Sequence, residues 1–261
     1  MTRVRLDDAV AARAGVTRSR ARSLIIAGRV RVDGTPATKP GSAIATTASL
    51  EVERPKPFVS RGGEKLEGAL ADLGLTVAGR RALDVGASTG GFTDCLLQRG
   101  AAHVTALDVG YGQIAVTLRN DPRVRVIERT NFRTLAADAL PEGPFDVVVI
   151  DASFISVIPL LDRARAFLAD DGRIVALVKP QFEAGVERLG RGGVVRDADV
   201  HRAILREFRA ATIGLGLVPQ AVVASHLRGP AGNVEFFALV ARDGVAVDDA
   251  ALDAALAGVP A

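Results

Sequence analysis

The stretch from Arg81 to Phe92, R-A-L-D-V-G-A-S-T-G-G-F, restricts the possible folds more than any other part of the chain. Ala82, Leu83 and Val85 read as a buried parallel strand with Asp84 at its carboxyl end, and T-D-C-L-L-Q-R from Thr93 resumes at helical spacing. Strand, tight turn and helix in succession are the building unit of an open α/β sheet. Gly86, Gly90 and Gly91 are expected to let the turn pass close beneath a ligand, because side chains there block the approach and restrict the backbone to negative φ. The spacing is G-x-x-x-G-G, not the G-x-G-x-x-G that cradles a pyrophosphate, so nicotinamide and flavin dinucleotides are disfavoured. The next strand, His103–Leu107, delivers Asp108 about 20 residues after the first glycines, where a ribose-binding carboxylate belongs. These features suit a nucleoside without phosphates, and S-adenosylmethionine is the common cofactor of that description.

Further strands follow at Arg123–Ile127, at Phe145–Ile150 ending on Asp151, and at Gly172–Val178 ending on Lys179. Their alternation with helical segments predicts a mostly parallel sheet with helices on both faces and ligands outside the carboxyl ends of the strands. Asp84, Asp108, Asp151 and Lys179 all occupy such ends, which argues for an enzyme. Pro180–Arg196 is glycine-rich and lacks a period, so it is expected to be a mobile loop over the site. Asp197–Leu215 reads as a helix and Asp248–Leu256 as another. Leu217–Ser225 and Val234–Val240 read as an antiparallel hairpin with Glu235 at the start of an otherwise apolar strand. Leu66, Ala69, Leu70 and Leu73 give a further helix from Glu64, and Lys65 near its start opposes the helix dipole, which points to a functional reason for that cation.

Charge separates the N-terminal segment from the rest. Between residues 1 and 31, eight arginines (Arg3, Arg5, Arg13, Arg18, Arg20, Arg22, Arg29 and Arg31) face only Asp7 and Asp8, while the whole chain carries a formal charge of +3. The body is therefore mildly acidic. Two short helices, Arg5–Ala14 and Thr17–Ala27 with Thr17 as N-cap, lead into a hairpin turning at Asp33–Gly34. Arginines clustered on a helix pair suit phosphate contacts to RNA, and the helix pair followed by A-G-R-V-R-V-D-G resembles the small domain of ribosomal protein S four. Glu51–Ser60, with two prolines and charges of both signs, reads as an extended linker, less free if Phe58 and Val59 pack on one neighbour, which sets domains at 1–55 and 61–261 with the linker proper at 56–60. No apolar run is long enough to span a membrane, and the N-terminus has no apolar signal core. A single cysteine, Cys95, suits a reducing cytoplasm and reads as packing. The three histidines lack metal spacing, so no metal is expected. At 4% aromatic residues, no base-stacking platform stands out.

The stretches S-R-G-G-E-K-L, A-L-D-V-G-A-S-T-G-G-F-T, D-V-G-Y-G-Q, E-R-T-N, D-A-S-F-I-S, L-V-K-P-Q-F-E and G-P-A-G-N-V-E-F-F resemble those of the TlyA family. That resemblance implies a Rossmann-like class I, FtsJ-like methyltransferase domain with a C-terminal antiparallel hairpin, joined to a small α+β RNA-binding domain. It implies methyl transfer from S-adenosylmethionine to the ribose 2′-hydroxyl of a cytidine in ribosomal RNA, within the small and also the large ribosomal subunit, in the cytoplasm. The family's Lys-Asp-Lys-Glu tetrad falls on Lys65, Asp151, Lys179 and Glu235. Its cofactor positions fall on Asp84, Gly86, Ala87, Ser88, Gly90, Gly91, Phe92, Asp108, Asn131 and Phe154, and its RNA contacts on Arg3, Arg5, Arg18, Arg20, Arg22 and Arg61. The family has also carried the label of haemolysin, so a membrane-active protein is one alternative and a non-catalytic RNA-binding factor another.

Overall fold

The computed structural model describes residues 2–53, 57–190 and 192–259. The chain divides into two compact units, Met1–Lys56 and Pro57–Ala261. Residues 54–56 of the expected linker lie outside the described residues. The rest of that stretch is not a free linker. Glu51 and Val52 belong to a paired strand, and Phe58 is buried, so close to Gly63 that a Cβ there would overlap its ring.

The first unit begins with strand β1 (Arg3–Arg5), helices α1 (Leu6–Ala14) and α2 (Arg18–Ile26), then β2 (Val30–Val32), β3 (Thr35–Pro36), β4 (Ala43–Ala45) and β5 (Leu50–Val52). Thr17 caps α2 by accepting the Arg20 N–H, as expected of a threonine there. β2 and β3 turn back through Asp33 (φ 49°) and Gly34 (φ 75°), two successive left-handed residues that match the twist of a hairpin. Leu6, Val10, Ala21, Leu24, Ile25 and Val30 form a separate small core.

The second unit contains α3 (Arg61–Asp72), β6 (Arg81–Val85), α4 (Gly91–Gln98), β7 (His103–Leu107), α5 (Val116–Arg119), β8 (Val124–Ile127), β9 (Phe145–Ile150), α6 (Ile158–Ala164), β10 (Leu168–Val178), α7 (Pro180–Glu183), α8 (Ala198–Gly214), β11 (Val218–Ala224), β12 (Phe236–Ala241) and α9 (Asp249–Ala257). Its sheet has the order β11-β12-β10-β9-β6-β7-β8, parallel from β10 to β8, with β12 antiparallel to both of its neighbours. The fold is therefore mixed α/β with a mostly parallel seven-stranded sheet and the expected terminal hairpin. Both faces are covered. Val147 and Val149 pack with Leu66, Leu70 and Leu96 of α3 and α4, while Val148 and Ile150 pack with Leu160, Leu161 and Leu205 of α6 and α8. Period-two alternation of apolar residues on β9 thus feeds two cores at once. The chain runs outward from β6 through β7 and β8 and then returns to the other side of β6 as β9, which makes the β6–β9 gap the switch point where a ligand crevice opens.

Pro180–Arg196 is not irregular throughout among its described residues: it contains α7 and a 3-10 turn at Val186–Arg188, and Ala184 and Val195 are buried. The buried side chain of Asn233 holds it, accepting the Val195 N–H at 3.0 Å and donating to the Gly193 carbonyl at 3.2 Å.

Candidate active site

The site is built on the carboxyl ends of adjacent strands. Gly86, one residue past β6, has φ of 86°, and a Cβ there would overlap the carbonyl oxygen of Asp151 one residue past β9. The Asp151 N–H donates to the Val85 carbonyl at 3.0 Å, which locks the two strand ends together. Gly90 and Gly91 are likewise required by neighbouring protein: added carbons would strike Leu118 and Ser60. The sequence reading assigned these three glycines to close approach of a ligand. In the structure the space a side chain would need at these positions is filled by the Asp151 carbonyl, Leu118 and Ser60, while Gly86 also lines the cavity beside the turn.

Beside this turn lies a cavity of about 530 Å³ whose walls include Gly86, Ser88, Asp108, Asn131, Asp151 and Phe154. Asp108 organises its floor. One carboxylate oxygen accepts the Ser88 N–H at 2.7 Å and the other the Gly110 N–H at 2.6 Å, which leaves each oxygen a lone pair for a further donor. Ser88 has φ of 48° and so turns its amide onto that carboxylate. Asn131 caps the 3-10 turn that follows it, accepting the Arg133 N–H at 3.1 Å. Phe154 is 92% exposed at φ of 67°, and its ring lies 5.4 Å from that of Phe182.

The other expected cofactor positions stand behind the cavity wall. Ala87, Gly91 and Phe92 are buried, with Phe92 packed 6.0 Å from Phe237. Asp84 is fully buried; one oxygen accepts from Thr93 Oγ1 at 2.7 Å and the other has no partner among the described residues. Burial pushes its carboxyl up to about 7, the Thr93 bond pulls it back, and the nearby Asp151 charge adds to the rise.

The expected tetrad assembles as two ion pairs. Lys179 Nζ lies 2.5 Å from Asp151 Oδ1 and donates to Ser153 Oγ at 3.1 Å; Lys65 Nζ donates to Glu235 Oε2 at 2.5 Å. Sheet register explains the convergence. Ala176 pairs with Ile150 and Val178 with Phe236, so Asp151, Lys179 and Glu235 leave the same edge of three adjacent strands although β12 runs backwards. Lys65 comes to Glu235 from α3. Lys65, Lys179 and Glu235 are 8%, 7% and 2% exposed, so each charge sits where only a partner can offset its lost hydration.

Sequence reasoning missed Ser153, Phe182, Glu183 and Gln113, the last of which lines the cavity and accepts from Ser88 Oγ at 3.2 Å. Ser153 and Glu183 stood inside the D-A-S-F-I-S and K-P-Q-F-E stretches, but nothing in spacing says which polar residue of a loop turns inward. Of the expected RNA contacts, Arg61 donates to the Arg228 carbonyl at 3.1 Å, and Arg3 to the Ala43 carbonyl at 3.1 Å. Arg5 and Arg18 both clasp the buried Asp7, at 2.9 and 3.2 Å, and these bonds hold its carboxyl down at about 2. Arg20 and Arg22 are exposed and make no ion pair among the described residues.

A family model described as FtsJ-like methyltransferase matches residues 58–242, and one described as S4 domain matches residues 4–46. The chain is 52% identical over 235 residues to the 16S/23S rRNA (cytidine-2′-O)-methyltransferase TlyA of Mycobacterium tuberculosis, a match covering 88% of this chain and 87% of that protein. The chain belongs to the TlyA family of FtsJ-like methyltransferases. A second relative, the Hemolysin A of Brachyspira hyodysenteriae, is 39% identical over 222 residues, covering 85% of this chain and 92% of that one. A solved structure described as a hemolysin from Streptococcus thermophilus superposes with a TM-score of 0.75 at 38% identity, over 98% of this chain and 95% of that one. This TlyA-family chain thus carries its S4 match on the first unit and its methyltransferase match on the second.

Proposed function

We propose that the chain transfers a methyl group from S-adenosylmethionine to the ribose 2′-hydroxyl of a cytidine in ribosomal RNA, within both ribosomal subunits in the cytoplasm. The observation that carries this reading is the Lys179–Asp151 ion pair, half of a tetrad whose other three members are buried, set at the rim of a nucleoside-sized cavity. The residues present fit the cofactor. A cavity of about 530 Å³ suits a nucleoside, Asp108 offers paired carboxylate lone pairs to a ribose diol, and Leu107, Phe132 and Leu160 give apolar walls for a base. The bound cofactor supplies an electrophilic methyl on a sulfonium.

The remaining work falls to the chain. A ribose hydroxyl is a poor nucleophile while protonated, so a positioned group has to take its proton as the oxygen attacks. We assign that proton to Lys179 Nζ, whose direction Asp151 and Ser153 fix. Lysine accepts a proton only as the neutral amine, so turnover depends on that form. Lys65, held by Glu235, adds positive charge against the developing alkoxide. Holding the hydroxyl in line with the methyl supplies much of the rest. The named activity of the Mycobacterium tuberculosis relative supports the substrate.

Radiolabelled methyl transfer to purified ribosomal subunits, with 2′-O-methyl positions mapped on both RNAs, tests the reading. Lys179→Ala is expected to lower kcat by roughly a hundredfold or more, the range lost with a general base, while S-adenosylmethionine still binds. Normal turnover in that variant refutes the assignment, and no transfer by the unaltered protein leaves an RNA-binding factor. The hemolysin names of two similar proteins raise a membrane-active alternative. Among the described residues no helix is long and apolar enough to cross a membrane. Lysis of liposomes by the pure protein would favour that reading.

A further inference from the structure

The two segments that carry the Lys179–Asp151 pair are joined a second time, by a carboxylate outside the tetrad. Glu183, the last residue of α7, accepts from Ser156 Oγ at 2.7 Å through one oxygen and from the Val157 N–H at 2.8 Å through the other. Val157 is the residue at the head of α6, where backbone N–H groups have no partner within the helix. Ser156 Oγ also accepts the Ile158 N–H at 3.2 Å, so one carboxylate and one hydroxyl serve the start of that helix together. The carboxylate comes from 26 residues away rather than from the loop itself.

Segment 151–157 is therefore gripped at both ends by one turn of chain. Lys179 holds Asp151 and Ser153 at one end, Glu183 holds Ser156 and Val157 at the other, and the Phe154 and Phe182 rings meet between them. The turn itself is short and tight: the Phe182 N–H donates to the Lys179 carbonyl at 2.8 Å and the Ala184 N–H to the Pro180 carbonyl at 2.9 Å, so Lys179 and Glu183 sit on one hydrogen-bonded turn. Residues 151–155 line the cavity, and Phe154 within them holds a left-handed backbone that the rest of the segment has to maintain.

We propose that Glu183 is a positioning residue of the methyl-transfer site: its carboxylate sets segment 151–157 against the turn after Lys179, and so fixes how the Lys179–Asp151 pair faces the cavity. Burial pushes the Glu183 carboxyl up while the bonds from Ser156 and Val157 pull it down, as expected of a shielded acid whose two donors are its main compensation. The inference rests on the reading of Lys179 given above, but the clasp can be measured without turnover.

The full-length protein is compared with Glu183→Ala, Glu183→Gln and Ser156→Ala by amide hydrogen exchange, cofactor binding and steady-state kinetics on ribosomal subunits. In Glu183→Ala, exchange across 151–157 is expected to rise about tenfold or more while α8 is unchanged. Its kcat should fall about tenfold or more with KM for S-adenosylmethionine altered less than about threefold. Glu183→Gln, which keeps an acceptor for the Val157 N–H, should recover most of that kcat, and Ser156→Ala should fall between. A general loss of stability would not divide kcat from KM or be rescued by glutamine. Unchanged exchange in 151–157, or faster exchange with unaltered kcat, overturns the proposal. Should Glu183→Ala not fold, Ser156→Ala alone decides, because its exchange has to rise in the same segment. An unaltered protein that transfers no methyl refutes the reading of Lys179 instead, and the exchange comparison tells the two failures apart.

Discussion

Asp84 has no exposed surface, one hydrogen bond from Thr93, and a carboxyl raised from 3.8 to about 7, chiefly by burial. A folded-state value above the unfolded one means that the folded chain holds this proton more tightly. The stability it contributes is fully present below about pH 4 and is lost as pH rises through about 7. Asp84→Asn removes the titration, keeps an acceptor for Thr93 and places an amide where the unpartnered oxygen sits. Thermal unfolding should then find the two proteins similar near pH 4 and the variant more stable at pH 8, by up to about 4 kcal/mol. Identical pH profiles would mean that Asp84 ionises inside the fold without cost. An acid at this strand end was legible from R-A-L-D-V-G, but its distance from the cavity was not. Period-two alternation gives the face of a strand on which a residue lies, not which side of the following turn the ligand occupies.

The β6 turn shows the same division between elements. That glycine was needed at 86 could be read from the sequence, but the Asp151 carbonyl that also demands it could not, since that residue follows another strand. Gly86→Ala has to place a side chain at φ of 86° and against the Asp151 carbonyl, at a cost of about 1–3 kcal/mol from backbone strain alone. The variant should melt lower and bind S-adenosylmethionine more weakly, because relieving the overlap moves Asp151 away from Lys179. Calorimetric binding that matches the parent would contradict this. The strands, long helices and terminal hairpin were legible because each carries an apolar period and capping residues such as Thr17, Asp197 and Asp248. The segment from Pro180 to Arg196 reads as irregular in the sequence because what holds it is Asn233, a partner about 40 residues away that local composition does not register. The tetrad lies between these cases. Asp151, Lys179 and Glu235 were visible as charges at strand ends and Lys65 as a cation near a helix start, whereas the pairing of Lys65 with Glu235 across 170 residues depends on the sheet order.

At the scale of the whole molecule, two units with separate cores carry the S4 match and the methyltransferase match, and under the proposed function the first finds RNA and the second modifies it. The basic excess of the first unit overstates its free charge, because Arg5 and Arg18 are spent on Asp7, whose burial would otherwise go uncompensated. Arg20 and Arg22 are exposed on the first turns of α2 and make no ion pair among the described residues. If phosphates are their partners, each should contribute close to one unit to the slope of log affinity against log salt. Arg20→Ala with Arg22→Ala should therefore weaken binding to ribosomal RNA at low salt, flatten that slope by about two units, and leave the affinity for S-adenosylmethionine untouched. Arg5→Ala should behave differently, lowering the melting temperature of the first unit because it strips a partner from a buried carboxylate, with less effect on the salt slope. Measuring both variants by RNA binding across a salt series and by thermal unfolding separates the two roles. A slope unchanged by the double substitution would move the RNA-binding surface off α2.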